Sequence, residues 1–246
     1  MRQKQRIDQQ PSYVLHTHPW RETSLIVEAF SRDHGRVALV AKGARRPLSQ
    51  MRGLLMAFQP LLLDWSGGGE VKTLVRAEWC GGQPLLTGQA LFCGYYLNEL
   101  IVCLSAREDP HPDLFQAYAL ALAELARQGV GAQRFSPLLR RFELALLGAL
   151  GYGTGLEADA VSGDPVQAGT DYLYIIEKGP VQQARVSPGE YGVRISGQSL
   201  LDMAADRFER AETLAQSRAL LRELINHYLN GQPLQSRRVL KELQEL

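Results

Sequence analysis

Two hydrophobic periods divide the chain. Up to about residue 80 the apolar positions follow a period of two, the signature of half-buried strands. Tyr13–Thr17 is a short run of β-formers. Thr23–Ser31 alternates, with Leu25, Val27 and Ala29 on one face and Ser24, Ile26 and Glu28 on the other. Asp33-His34-Gly35 then predicts a tight connection, with Gly35 free to take positive φ. Arg36–Ala41, Phe58–Trp65 and Glu70–Cys80 read as further strands, the last two joined through Ser66-Gly67-Gly68-Gly69. Five short strands separated by turn signals favour a small barrel.

Gly81-Gly82 marks the predicted boundary, because the period beyond it becomes helical. Leu86–Ser105 carries Leu91, Tyr95, Leu97, Leu100, Ile101 and Leu104 close to a 3.6 repeat. Asp113–Arg127 predicts a second helix, with Gly129 as its stop. Ser136-Pro137 fits an N-cap followed by proline and opens a helix running to Leu150. That helix is apolar almost all round from Glu143 onward, which predicts the central buried helix of its domain. Residues 153–198 are rich in Gly, Pro, Ser and Asp with short β-type runs such as Tyr172–Ile176, and predict an irregular insert with a hairpin or two. Helices resume at Leu200–Glu209, Leu214–Leu229 and Arg237–Leu243. The expected fold class is α+β. A barrel domain at 1–80 is followed by a mostly helical domain at 81–246 with a small irregular β/loop insert at about 153–198.

Charge sharpens this division. The 246 residues carry a net +1, yet residues 1–80 hold twelve Lys/Arg against seven Asp/Glu, and the remainder is net negative. Such asymmetry points to two regions with different partners. No run reaches the roughly 18 apolar residues of a membrane span. The opening MRQKQRIDQQ lacks the apolar core of a secretory signal. Cys80, Cys93 and Cys103 are far apart and form no CxxC pair, so neither a disulfide framework nor a zinc site is expected. A reducing cytoplasm fits this usage.

The candidate chemistry is phosphate binding. Lys42, Arg45, Arg46 and Arg52 fall in one stretch without an acid, beside Gly43, Pro47 and Ser49. A flexible loop with four cations suits an irregular phosphate backbone, and its binding would weaken steeply with salt. Arg36 beside the turn and Arg2, Lys4 and Arg6 in the tail add to it. Barrels that hold single strands pair a positive groove with aromatic platforms. Trp20, at a strand end between Pro19 and Arg21, is the expected exposed ring. Tyr13, Phe30, Phe58, Trp65 and Trp79 are expected in the core.

Signals of catalysis are weak. Gly151-Tyr152-Gly153-Thr154-Gly155 resembles a phosphate loop but closes a helix rather than opening one, so it reads as a cap. His16 and His18 could face one way, but no third metal ligand is evident. The chain has no P-loop, no HExxH and no GxSxG. No enzymatic activity and no cofactor are therefore expected, although distant carboxylates can still assemble into an acid–base pair.

Several pieces resemble, in order, the RecO family of bacterial recombination mediators. They are Tyr13-Val14-Leu15, Glu22-Thr23-Ser24-Leu25, His34-Gly35-Arg36, and Ala41-Lys42-Gly43-Ala44-Arg45. Then come Leu61–Leu63, Glu70-Val71-Lys72-Thr73-Leu74, and Tyr96-Leu97-Asn98-Glu99-Leu100. Arg140-Arg141-Phe142-Glu143-Leu144 runs into Leu147-Gly148-Ala149-Leu150-Gly151-Tyr152. The order and spacing hold over about residues 13–153. The resemblance implies an OB-fold barrel, binding of single- and double-stranded DNA, and annealing of complementary strands. It also implies work with RecR to load RecA onto DNA coated by single-stranded DNA-binding protein (SSB), in the cytoplasm at the nucleoid. Many members carry a four-cysteine zinc module after the central helix. Residues 153–198 here hold no cysteine and no histidine.

The family places its contact with the acidic SSB tail on the helical domain. An apolar pocket rimmed by cations would suit that tail. Leu139, Arg140, Arg141 and Phe142 are the candidates, with structural ion pairs to Glu143 or other acids as the equal alternative. Two rival functions remain from the residues alone: an OB-type RNA or translation module, and an enzyme with an unrecognised site.

Overall fold

The computed structural model describes residues 6–127, 135–153 and 155–244, without the side chains of 240–244. Arg2, Lys4, Gly129 and Thr154 lie outside the described residues. The chain divides into two compact units. One is Met1–Val130 with Leu234–Leu246, and the other is Gly131–Pro233.

In the first unit, alternating apolar residues build a closed barrel. Its strands are β1 (Arg6–Trp20), β2 (Ser24–Ser31), β3 (Gly35–Ala41), β4 (Pro60–Ser66) and β5 (Val71–Trp79). The order around the barrel is β1-β2-β3-β5-β4. β3 and β5 run parallel and the other neighbours antiparallel. This is the five-stranded OB arrangement. A single turn of helix, α1 (Met51–Leu54), lies in the β3–β4 connection. The interior takes every second residue: Val27 and Ala29, Val37, Leu39 and Ala41, then Leu61, Leu63 and Trp65.

β1 is three times the length expected from Tyr13–Thr17. Its first half pairs with β4 and its second with β2, with irregularities between Ile7 and Gln10 and between Val14 and His16. Such bulges bend a strand round a barrel corner. They also break the alternation, which is why the polar start of β1 was not legible.

Gly35 takes φ +63°, as its turn requires. A Cβ there would run into the backbone of Asp109. The segment around Glu108 and Asp109 is laid against this turn, with Glu108 N donating to Arg36 O at 2.9 Å.

Two long helices, α2 (Gly88–Leu104) and α3 (Pro112–Arg127), and the last, α7 (Gln235–Gln244), belong to the same unit. α2 is buried on most sides, through Ala90, Cys93, Tyr96, Leu97, Leu100 and Ile101 among others. Tyr95, expected inside, is exposed, and Tyr96 takes the buried place. Asn98 ties three layers together. Its Nδ2 donates to Leu15 O of β1 at 2.9 Å, and its Oδ1 accepts from Tyr118 of α3. Phe115 and Tyr118 pack against Tyr13 and Phe30 on the outside of the barrel, with centroids 5.2–6.0 Å apart.

The second unit holds α4 (Phe135–Ala149), a sheet ordered β7-β6-β8, α5 (Gly197–Ala204) and α6 (Ala211–Tyr228). The strands are β6 (Asp171–Ile175), β7 (Gly179–Gln182) and β8 (Val193–Ser196). α4 is already helical at Phe135, so Ser136 is not its N-cap. It buries one face against α6 instead of being enclosed all round; Leu139, Leu144 and Ala145 are only partly buried and Gly148 is exposed. At its end Gly151 takes φ +74°. Gly151 N donates to Gly148 O at 3.1 Å and Tyr152 N to Leu147 O at 3.0 Å, the paired bonds of a Schellman cap.

The insert is organised around a buried carboxylate. Asp159 Oδ1 accepts from Val161 N and Ser162 N at 2.9 Å, and Oδ2 from Gln182 N at 2.7 Å. Burial alone would raise its pKa. The backbone N–H groups of Ser162, Gln182 and Val161 and the Ser162 hydroxyl outweigh that and hold it below the usual 3.8.

Candidate nucleic-acid interface

The outward face of β1, β2 and β3 is covered at one end. Near the β2–β3 turn it is closed by the aromatic cluster with α3 and by Glu28. That carboxylate is gripped by Arg36 at 3.3 Å and by Arg107. Towards the β1–β2 turn the face is open. His16, His18 and Trp20 come from β1, Ile26 from β2, and Val40 from β3. Lys42 stands just past the end of β3. His18 lies opposite Ile26, and Ile26 opposite Val40. The rings of His16 and His18 meet edge to face at 4.0 Å. Burial and then the neighbouring His18 hold His16 below the ordinary imidazole range, against the pull of Glu28.

The basic connection leaves β3 at this open end. It was expected to be flexible. The structure instead makes it a string of turns, because backbone groups satisfy one another along it. Arg46 N donates to Gly43 O at 3.1 Å, Ser49 N to Arg46 O at 3.0 Å, and Arg52 N to Ser49 O at 3.2 Å. Gly43 takes φ +70° at the first bend, and Ala44 is fully buried as an anchor. Arg45 N donates to Thr23 O at 2.8 Å, which pins the connection to the β1–β2 turn. The Arg45 guanidinium also reaches the carbonyls of Arg21 and Glu22 at 3.4 and 3.3 Å.

Lys42, Arg45, Arg46 and Arg52 are therefore exposed and brought beside the turn that follows Trp20. None of the four takes part in an ion pair among the described residues. Trp20 is 45% exposed, as expected of a stacking ring. Tyr13, Phe30, Phe58 and Trp65 are in the core. Trp79 was expected there too, but it ends β5 facing outward at 55% exposure, its indole donating to Gln59 Oε1 at 3.3 Å. It stands at the last pair of the β4–β5 ladder, opposite Leu61.

Arg36 does not join this edge. Besides Glu28 it donates to Ser105 O at 3.0 Å, so its charge is spent on packing the segment after α2 against the barrel. Arg6 of the basic tail pairs with Asp8 at 2.8 Å. Among the described residues no group of three His, Cys, Asp or Glu is placed to hold a metal. Nor is any helix there long and apolar enough to cross a membrane.

On α4 the four partner-site candidates are not equivalent. Phe142 is buried, and Arg140 is buried with its guanidinium on Glu143 Oε1 at 2.6 Å. Arg141 is partly exposed, bonded to Asp206 at 2.7 Å and lying over the Phe208 ring. Leu139 is partly buried. Arg141 and Leu139 are the two with surface to offer. The i,i+3 pairing of Arg140 is the structural alternative foreseen for it.

Comparison with known proteins decides the family. A profile described as Recombination protein O N terminal matches residues 5–83, and one described as Recombination protein O C terminal matches residues 85–238. The chain belongs to the RecO family. It is 72% identical to the DNA repair protein RecO of Aromatoleum aromaticum over 246 residues, spanning the whole of both chains. It is 68% identical to that of an Azoarcus species over 99% of each chain. To that of Dechloromonas aromatica it is 53% identical, again over the whole of both. Within the RecO family this chain has a role in recombinational DNA repair.

Proposed function

We propose that this RecO chain is a recombination mediator that acts by binding DNA, without catalytic turnover. The open end of the barrel holds single- and double-stranded DNA through Lys42, Arg45, Arg46 and Arg52, with Trp20 as a stacking ring. The observation that carries the reading is that those four cations, on a connection fixed to the turn that follows Trp20, have no carboxylate partner among the described residues. Cations without a carboxylate partner keep their charge for phosphates, and each contact releases condensed counterions. Screening two strands at one edge while exposing their bases favours annealing, which needs no bond to be made or broken.

In this reading the protein, with RecR, helps RecA load onto SSB-coated DNA in the cytoplasm at the nucleoid. The acidic SSB tail docks on the second unit at Arg141 and Leu139. Arg141 has a carboxylate partner of its own in Asp206, which the tail would displace.

The test is annealing of complementary strands coated with SSB. Adding the protein should accelerate duplex formation well beyond the rate with SSB alone. An unchanged rate overturns the reading.

A further inference from the structure

The tip of the basic connection carries a side chain that neither phosphate binding nor folding explains. Leu48 is 97% exposed, more than any other large apolar residue described. It sits at a turn closed by Ser49 N donating to Arg46 O, so Pro47 and Leu48 are the two corner residues. Corners ordinarily take Gly, Pro, Asn, Asp or Ser. A leucine there forgoes everything burial would give it. Nor is the tip loosely held. Arg45 N on one side is bonded to Thr23 O, and Arg52 N on the other to Ser49 O. The backbone presents the leucine outward.

Its surroundings narrow what it meets. From residue 42 to 52 every charge is positive. Cations at both flanks draw two phosphate rails, and the group left between the rails is the base stack. Proteins that open or kink a duplex insert Leu, Ile, Phe, Met or Pro between base steps in this way.

We propose that Leu48 is a wedge that enters between stacked bases once the flanking cations hold the phosphates. The proposal rests on the DNA-binding reading above and assigns the leucine a separate task. Trp20 precedes the turn whose carbonyls Arg45 contacts, and it offers a platform for a displaced base. Unstacked bases present their pairing edges, which is the state from which two strands nucleate a duplex.

The experiment uses a DNA duplex with a single-stranded extension, carrying 2-aminopurine at successive positions near the junction. This base analogue is quenched by stacking. The full-length protein should raise its fluorescence at one or two positions. Leu48→Ser should lose that rise while the salt dependence of binding stays unchanged, because no charge is removed. Leu48→Met, which keeps an apolar reach, should retain it. A rise that survives in Leu48→Ser overturns the wedge and leaves the tip for a protein partner. Binding by the parent protein with no rise at any position overturns the wedge alone. Absence of binding by the parent protein overturns the DNA-binding reading and the wedge together.

Discussion

Single residues in this chain are constrained by contacts their neighbours in sequence do not reveal. Gly35 was legible as a turn, but the approach of Asp109 that forbids a Cβ was not, because it joins positions 74 apart. Asp159 is the sharper case. In sequence it is one acid in a loop rich in them. In the structure it is 3% exposed and receives three backbone N–H groups. Its folded pKa lies below the unfolded value near 3.8. The unfolded chain therefore takes up the proton first. The stabilisation is complete above that value and is lost as pH falls through the depressed folded one. Asp159→Asn replaces one acceptor oxygen with a donor and removes the charge. It should cost about 1–3 kcal/mol at neutral pH. The gap between variant and parent should narrow below pH 3.8. Urea unfolding midpoints followed by a probe on β6, measured across that range, check both. A gap that is constant with pH would remove the charge from the explanation.

Elements were legible where one face is buried and the period is clean. β2 and β3 fall within a residue of their expected bounds because Leu25, Val27 and Ala29, then Val37, Leu39 and Ala41, point to the core. α4 was misjudged in its enclosure, since an apolar sequence does not say how many neighbours a helix will have. The basic connection was located correctly and its character was not. Composition suggested flexibility, whereas its hydrogen bonds to itself and to Thr23 make it an ordered edge. An ordered edge predicts defined phosphate contacts. Replacing Lys42, Arg45 and Arg46 with Ala should lower the slope of log K against log salt for single-stranded DNA by about 2, at roughly 0.7 per lost contact. Fluorescence-anisotropy titrations between low and moderate salt measure it. An unchanged slope would take the connection out of the site, whatever happened to affinity at any one salt concentration.

At the scale of the whole molecule, the sequence break and the packing break do not coincide. The period changes at Gly81-Gly82, and both glycines take positive φ in a segment without regular structure. Yet α2 and α3 pack on the barrel, and the unit they complete also contains the last helix of the chain. That association rests on contacts far apart in sequence. Gln235 N and Ser236 N, at the start of α7, donate to the Glu99 carboxylate of α2 at 2.7 and 2.9 Å, a charged cap on otherwise orphaned donors. Arg237 donates to the Tyr96 hydroxyl at 2.9 Å. No local pattern encodes pairings across more than 130 residues. They make the first unit discontinuous, begun by one end of the chain and closed by the other. Ending the chain after Pro233 should therefore weaken the barrel unit, although the residues removed lie beyond the second one. Loss of the two backbone N–H bonds to Glu99 alone should cost that unit roughly 3 kcal/mol. Amide exchange resolves the outcome by location, because protection follows the unit that opens. Faster exchange should appear in α2 and spread to β1, which Asn98 ties to it, while β6 to β8 keep their parent rates. Faster exchange confined to the β6–β8 sheet would mean that α7 closes the second unit instead.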